Sequence, residues 1–138
     1  MAKRLRVDSH FIPCEVAEDD ELYPNGIFVF NITRMIKHIQ ENPDEIALEE
    51  VAVSNIPSFS SIELSELDSI TIGVPVILAE ISPGKYNLID GHHRMEKARR
   101  IGIKTMLAYK LNVAQHMKFL TNTKGYVAYV EYWNDKLK

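Results

Sequence analysis

"VPVILAEISPGKYNLIDGHHRMEKARRIGIKTMLAYKL" occupies residues 74 to 111, and its hydrophobic period changes twice. Residues 74 to 81 form an apolar run enriched in β-branched side chains, which predicts a strand. Ser82-Pro83-Gly84-Lys85 supplies a turn, because proline fixes one dihedral and glycine accepts a positive one. "YNLI" at 86 to 89 is a second strand, so the two runs read as a hairpin. Beyond Ile89 the spacing becomes helical. Met95, Ala98 and Ile101 recur on one face, while Arg94, Glu96, Lys97, Arg99 and Arg100 take the others, as in a surface helix packed on a sheet. Asp90 is expected to cap this helix and Gly102 to end it in a left-handed conformation. "KTMLAYKL" at 104 to 111 is the next strand.

Toward the N-terminus, Pro24-Asn25-Gly26 reads as a turn before the strand "IFVFNI". Thr33 is the expected cap of a helix carrying Met35, Ile36 and Ile39 inward, stopped at Asn42-Pro43. Residues 44 to 70 are ambiguous: "EIALEEVAVSNI" fits a helix followed by a strand, and "IELSEL" fits either an irregular strand or a helical turn. Toward the C-terminus, helices are expected over 113–120 and 126–137. Tyr126, Tyr129, Val130, Trp133 and Leu137 form an aromatic stripe on the second, which reads as a helix docked on the core. Val76, Ile77, Leu78, Leu88, Ile89, Ala98, Leu107 and Trp133 are the expected core.

The 138 residues predict one domain, since about 100 to 200 residues per domain is usual. Hydrophobic residues make up 46% and charged residues 25%, a globular rather than disordered profile. With 16 basic and 19 acidic residues the net charge is -3, which argues against recruitment of DNA by bulk electrostatics. The single cysteine, Cys14, excludes an internal disulfide and reads as a buried, inert thiol. No run has the length of a membrane span and none resembles a secretory leader, so a cytoplasmic protein is expected.

The chemistry gathers at Asp90-Gly91-His92-His93-Arg94. A strand ending at a helix start exposes N–H groups with no intrahelical acceptor, and the helix dipole adds positive potential there. An anion suits that place, with Gly91 permitting close approach and an exposed Arg94 gripping phosphate oxygens. The simpler reading is a cap, a turn residue and a solvated first turn. An arginine at a helix start opposes the dipole, which favours an anion as its compensation.

The segment "YNLIDGHHRMEKARRIGIKTMLAY" resembles the signature of the ParB/sulfiredoxin superfamily, in which a strand, a Gly-x-x-Arg turn and a helix start bind nucleotide phosphates. The pentapeptide matches at all five positions the Asp-Gly-His-His-Arg motif of the superfamily's free-serine kinases. The likeness covers about residues 72 to 110, with the C-terminal helices at about 113–137 completing a single domain over 1–138. It implies an α+β fold of ParB/sulfiredoxin type, like the ParB N-terminal nucleotide-binding domain: a small mixed sheet with surrounding helices. His92 stands where sulfiredoxins have their cysteine, so sulfinic-acid repair is not implied. Neither is chromosome partitioning, because no helix-turn-helix module follows.

The resulting expectation is a Mg2+-dependent phosphotransferase or nucleotide hydrolase, an ATP- or ADP-dependent kinase among them, acting on a small molecule. ATP, ADP or CTP would be the nucleotide. Gly91, His92, His93 and Arg94 would bind it, with Asp90 and His92 catalytic and Asp90 holding the metal. The competing reading is a non-catalytic module that binds a nucleotide or docks a protein through Tyr126, Tyr129, Tyr132 and Trp133. DNA binding through Arg99-Arg100, Lys97 and Lys104, or nuclease activity, is less favoured. Glu63, Glu66 and Asp68 are further candidate acids, the patch at 18–21 reads as a solvated loop, and His10, His38 and His116 as structural or surface residues.

Overall fold

The computed structural model describes residues 2–57 and 70–138. "IELSEL", Glu63, Glu66 and Asp68 lie outside the described residues. A first hairpin pairs β1 (Leu22–Asn25) with β2 (Phe28–Asn31). Its turn is Gly26-Ile27, one residue later than the sequence suggested, with Gly26 at φ +68° and Pro24 inside β1 opposite Val29. Helix α1 (Ile32–Glu41) follows directly. Asn31 is its cap, the Asn31 side chain accepting from the Arg34 N–H at 3.0 Å. Thr33, the expected cap, instead accepts from the Glu21 N–H through Oγ1 at 2.8 Å, tying the preceding loop to the helix. The helix stops at Asn42, as expected.

The second sheet has the order β3-β6-β4-β5, with β3 Ala47–Ala52, β4 Val76–Ser82, β5 Lys85–Asp90 and β6 Thr105–Leu111. β4 and β5 form the expected antiparallel hairpin, β4 and β6 run parallel, and β3 is an antiparallel edge strand on β6. The expected mixed sheet with surrounding helices is thus observed as a mixed α+β architecture. Helix α2 (His92–Arg100) lies between β5 and β6 in the chain. Short α3 (Val113–His116) leads through a 3-10 turn to α4 (Thr123–Asp135).

β4 is central, and its period-2 alternation feeds two cores. Val76 and Leu78 pack with Leu88, Met95, Ala98, Met106 and Ala108 beneath α2. Ile77, Ala79 and Ile81 belong to the larger core, with α1, β2 and the buried Tyr126, Tyr129 and Trp133 of α4. The aromatic stripe therefore docks on its own sheet: of the side chains considered for a protein partner Tyr126, Tyr129 and Trp133 are inside, with Trp133 3% exposed, and Tyr132 is partly buried against the same core.

One expected core residue, Leu107, and one residue of the expected apolar face of α2, Ile101, are outside. The pleat sends Met106 and Ala108 toward α2, so Leu107 points to the other face of β6 and stays exposed. Ile101 is also exposed, because α2 ends at Arg100 and Gly102, at φ +86°, reverses the chain. The Ile103 N–H then bonds the Ala98 carbonyl at 2.9 Å, and Ile103 packs on the α2 core where Ile101 was expected. Among the described residues no helix is long and apolar enough to cross a membrane.

Candidate functional site

Asp90 is the last residue of β5, and Gly91 is the N-cap of α2. Gly91 stands at φ +99°, and a Cβ there would lie 2.5 Å from Val76 Cγ1 and 2.9 Å from Arg94 Nη2. Glycine is therefore dictated by the chain's own packing as well as by the left-handed turn. Helical bonding begins with Met95 N–H to the Gly91 carbonyl at 2.9 Å. Gly91 has no side chain with which to cap the helix, and the N–H groups of His92, His93 and Arg94 have no acceptor within it.

Asp90 is not the expected cap. Its carboxylate reaches forward to Arg94, with Oδ2 3.1 Å from Nη2, and both side chains are largely covered. The same Nη2 donates to the Pro75 carbonyl at 3.3 Å. Arg94, expected to be exposed, is thus anchored to β5 and to the residue just before β4, and the anion that compensates it at the helix start is supplied by Asp90. Arg94 Nε is buried with no hydrogen-bond partner among the described residues.

The histidines diverge, as neighbours on a helix must. His92 is half-buried, its ring stacked on Tyr23 with centroids 5.0 Å apart and bonded to the backbone of Leu88. Burial lowers its pKa below the ordinary imidazole value, against the opposing pull of Asp90 and the Leu88 carbonyl, with His93 adding to the decrease. His93 is exposed.

The run 91–94 faces a cleft of about 770 Å³ that also involves Asp90. Its other walls include Glu21, Tyr23 and Thr71. β1 lies near β5 and carries Tyr23 to the helix start, with Glu21 just ahead of it. Neither residue stood out in the sequence. Glu21 was one acid of a patch read as a solvated loop, and Tyr23 had no pattern to mark it. In that patch Asp20 is structural: its carboxylate accepts from the Asn31 side chain and the Ala17 N–H, and these bonds lower its pKa.

Among the described residues no group of three or more His, Cys, Asp or Glu side chains could hold a metal ion. Asp90, the expected metal ligand, has its carboxylate against a guanidinium, which repels a second cation. Glu21 is the cleft carboxylate with no ion pair among the described residues.

The other candidate groups serve the fold. Lys97 donates to the Ile70 carbonyl and Arg99 to that of Ile56, and both Arg99 and Arg100 pair with the buried Glu96. The cationic face considered for DNA is thus largely bound to the chain itself. Cys14 is partly buried, and burial raises its thiol pKa. His116 is fully buried, His38 pairs with Glu45, and His10 is exposed. No family model matches the chain, and no curated protein or solved structure matches it either.

Proposed function

We propose that the chain is a ParB/sulfiredoxin-like nucleotide-binding domain and works as a Mg2+-dependent phosphotransferase or nucleotide hydrolase on a small molecule, with ATP or ADP as its nucleotide. The observation that carries this reading is the start of α2 at the left-handed Gly91, which opens into the 770 Å³ cleft with Arg94 fixed beside it. A helix N-terminus with aligned N–H groups and positive potential suits a phosphate. The sequence likeness of Asp90 to Arg94 supports the same conclusion.

In this reading the N–H groups of His92, His93 and Arg94 bind phosphate oxygens, and the Arg94 guanidinium neutralises charge that develops during transfer. His93, being exposed, hydrogen-bonds a phosphoryl oxygen. His92 is held by Tyr23 and Leu88 and shapes the wall. Asp90, fixed by Arg94, orients the attacking hydroxyl or water. Glu21 fits the metal better than Asp90, because Mg2+ bound to phosphates commonly takes only one or two protein carboxylates. Mg2+ would offset the phosphate charge and the carboxylates' repulsion of it.

Calorimetric titration with ATP, ADP and CTP, each with and without Mg2+, tests this. Saturable binding of ATP or ADP that weakens on chelation of Mg2+ is expected. No heat from any nucleotide at millimolar concentration would remove the reading.

A further inference from the structure

Asp90 and Val74 belong to the walls of two cavities. The second is a partly open slot of about 130 Å³, lined otherwise by Ile36, Ile39 and Gln40 of α1, Pro75, Ile77 of β4 and Tyr109 of β6. Its surface is mainly aliphatic, and Gln40, Asp90 and Tyr109 are its polar side chains. An apolar lining with a few convergent polar groups is the usual pattern of a small-molecule site, and a slot below the common size of about 300 Å³ suits a very small guest. A cavity of about 150 Å³ takes a benzene-sized guest, so this slot has the volume for about six non-hydrogen atoms. A charged guest would lose its hydration among Ile36, Ile39 and Ile77 without replacement.

The polar group that joins the two cavities decides what the guest carries. Arg94 takes Oδ2 of Asp90, and among the described residues no hydrogen bond engages Oδ1. A carboxylate is acceptor-only, so the group it receives must be a donor such as a hydroxyl. On the other side of Asp90 lies the helix start assigned above to phosphate. We infer that the slot is the acceptor subsite: it takes the uncharged, compact apolar body of an alcohol and presents its hydroxyl to Asp90, facing the nucleotide. The acceptor role rests on the nucleotide reading, whereas occupancy of the slot does not.

The transfer balances simply. The alcohol oxygen forms a bond to the terminal phosphorus as the bond from that phosphorus to the bridging oxygen breaks. The hydroxyl proton passes to Asp90, and the nucleotide leaves one phosphate shorter. Water is too small to fill the slot, so an alcohol that fills it is positioned and water is not.

Cyclopentanol and glycerol are suitable probes, since each has six non-hydrogen atoms and only the first has an apolar body. Saturation-transfer NMR on the full chain should show cyclopentanol binding and at least fivefold less signal from glycerol. Gln40→Trp, at an exposed α1 position beside the slot, should abolish the cyclopentanol signal while leaving the circular dichroism and the ATP-induced rise in Tm unchanged. Ile36→Trp, from one turn earlier, should do the same. With ATP and Mg2+, cyclopentanol should speed ADP release in wild type and not in either variant.

Equal signals from the two probes, or a cyclopentanol signal that survives both tryptophan variants, would overturn the subsite. ATP binding without cyclopentanol binding would overturn it and leave the nucleotide reading standing. Cyclopentanol binding without ATP binding would refute the acceptor role and the nucleotide reading together, leaving only a pocket for apolar alcohols.

Discussion

Arg94 Nη2 donates both to Asp90 and to the Pro75 carbonyl, so one side chain joins the helix start to the end of β5 and to the segment leading into β4. Removing it leaves a largely buried Asp90 carboxylate without its cation. Arg94→Ala is therefore expected to cost about 1 to 3 kcal/mol in stability, the range for stranding a covered polar or charged partner. The same variant should lose most of the ATP-induced rise in Tm. Asp90→Asn combined with Arg94→Ala separates the two effects, since the neutral amide needs no cation. Urea unfolding should show stability recovered in the double variant while the nucleotide response stays low. Recovery of both would make Arg94 purely structural. The sequence showed that an arginine at this position needs an anion, and not that Asp90 would supply it. Its role as a cap and its pairing with Arg94 are equally compatible with the pentapeptide, and only the turn at Gly91 decides between them.

α3, β4 and α4 meet at one carbonyl. His116 Nε2 lies 2.6 Å from the Glu80 carbonyl oxygen, and the Tyr129 hydroxyl donates to the same oxygen at 2.6 Å. The carbonyl requires a donor from the ring, so Nε2 carries the proton. Nδ1 is buried with no hydrogen-bond partner among the described residues, which suits the neutral imidazole. Burial lowers the pKa to about 4 from 6.5, against the pull of Glu80. The unfolded chain thus binds a proton that the folded chain refuses between those values. Stability conferred by the neutral ring is full above pH 6.5 and falls as pH drops toward 4, by about 3 kcal/mol in all. Urea unfolding at pH 7.5 and 4.5 should show a smaller acid loss in His116→Asn than in wild type; equal losses would contradict the assignment. The same contrast between local and distant causes governs what could be read beforehand. The β4–β5 hairpin, α2 and β6 carry their turn residues and periods in their own sequence. β3 does not: Leu48, Glu49 and Glu50 are exposed on an edge, so "ALEEVA" lacks a burial pattern and becomes a strand through pairing with β6.

At the scale of the molecule, the central sheet is covered by α2 on one face and by α1 and α4 on the other, so the start of α2 rests on a packed support. The first hairpin brings Glu21 and Tyr23 to that support from more than sixty residues away, a closure no local pattern announces. The cleft then holds the start of a helix, an anchored guanidinium and the carboxylate of Glu21, which has no ion pair among the described residues. The central claim is that this helix start binds phosphate, and amide resonances report it most directly. A titration of 15N-labelled protein with ATP and Mg2+ should move the amide signals of His92, His93 and Arg94 most, saturably, with little change in α4. Signals that stay fixed at millimolar ATP, or that shift chiefly elsewhere, would contradict the account.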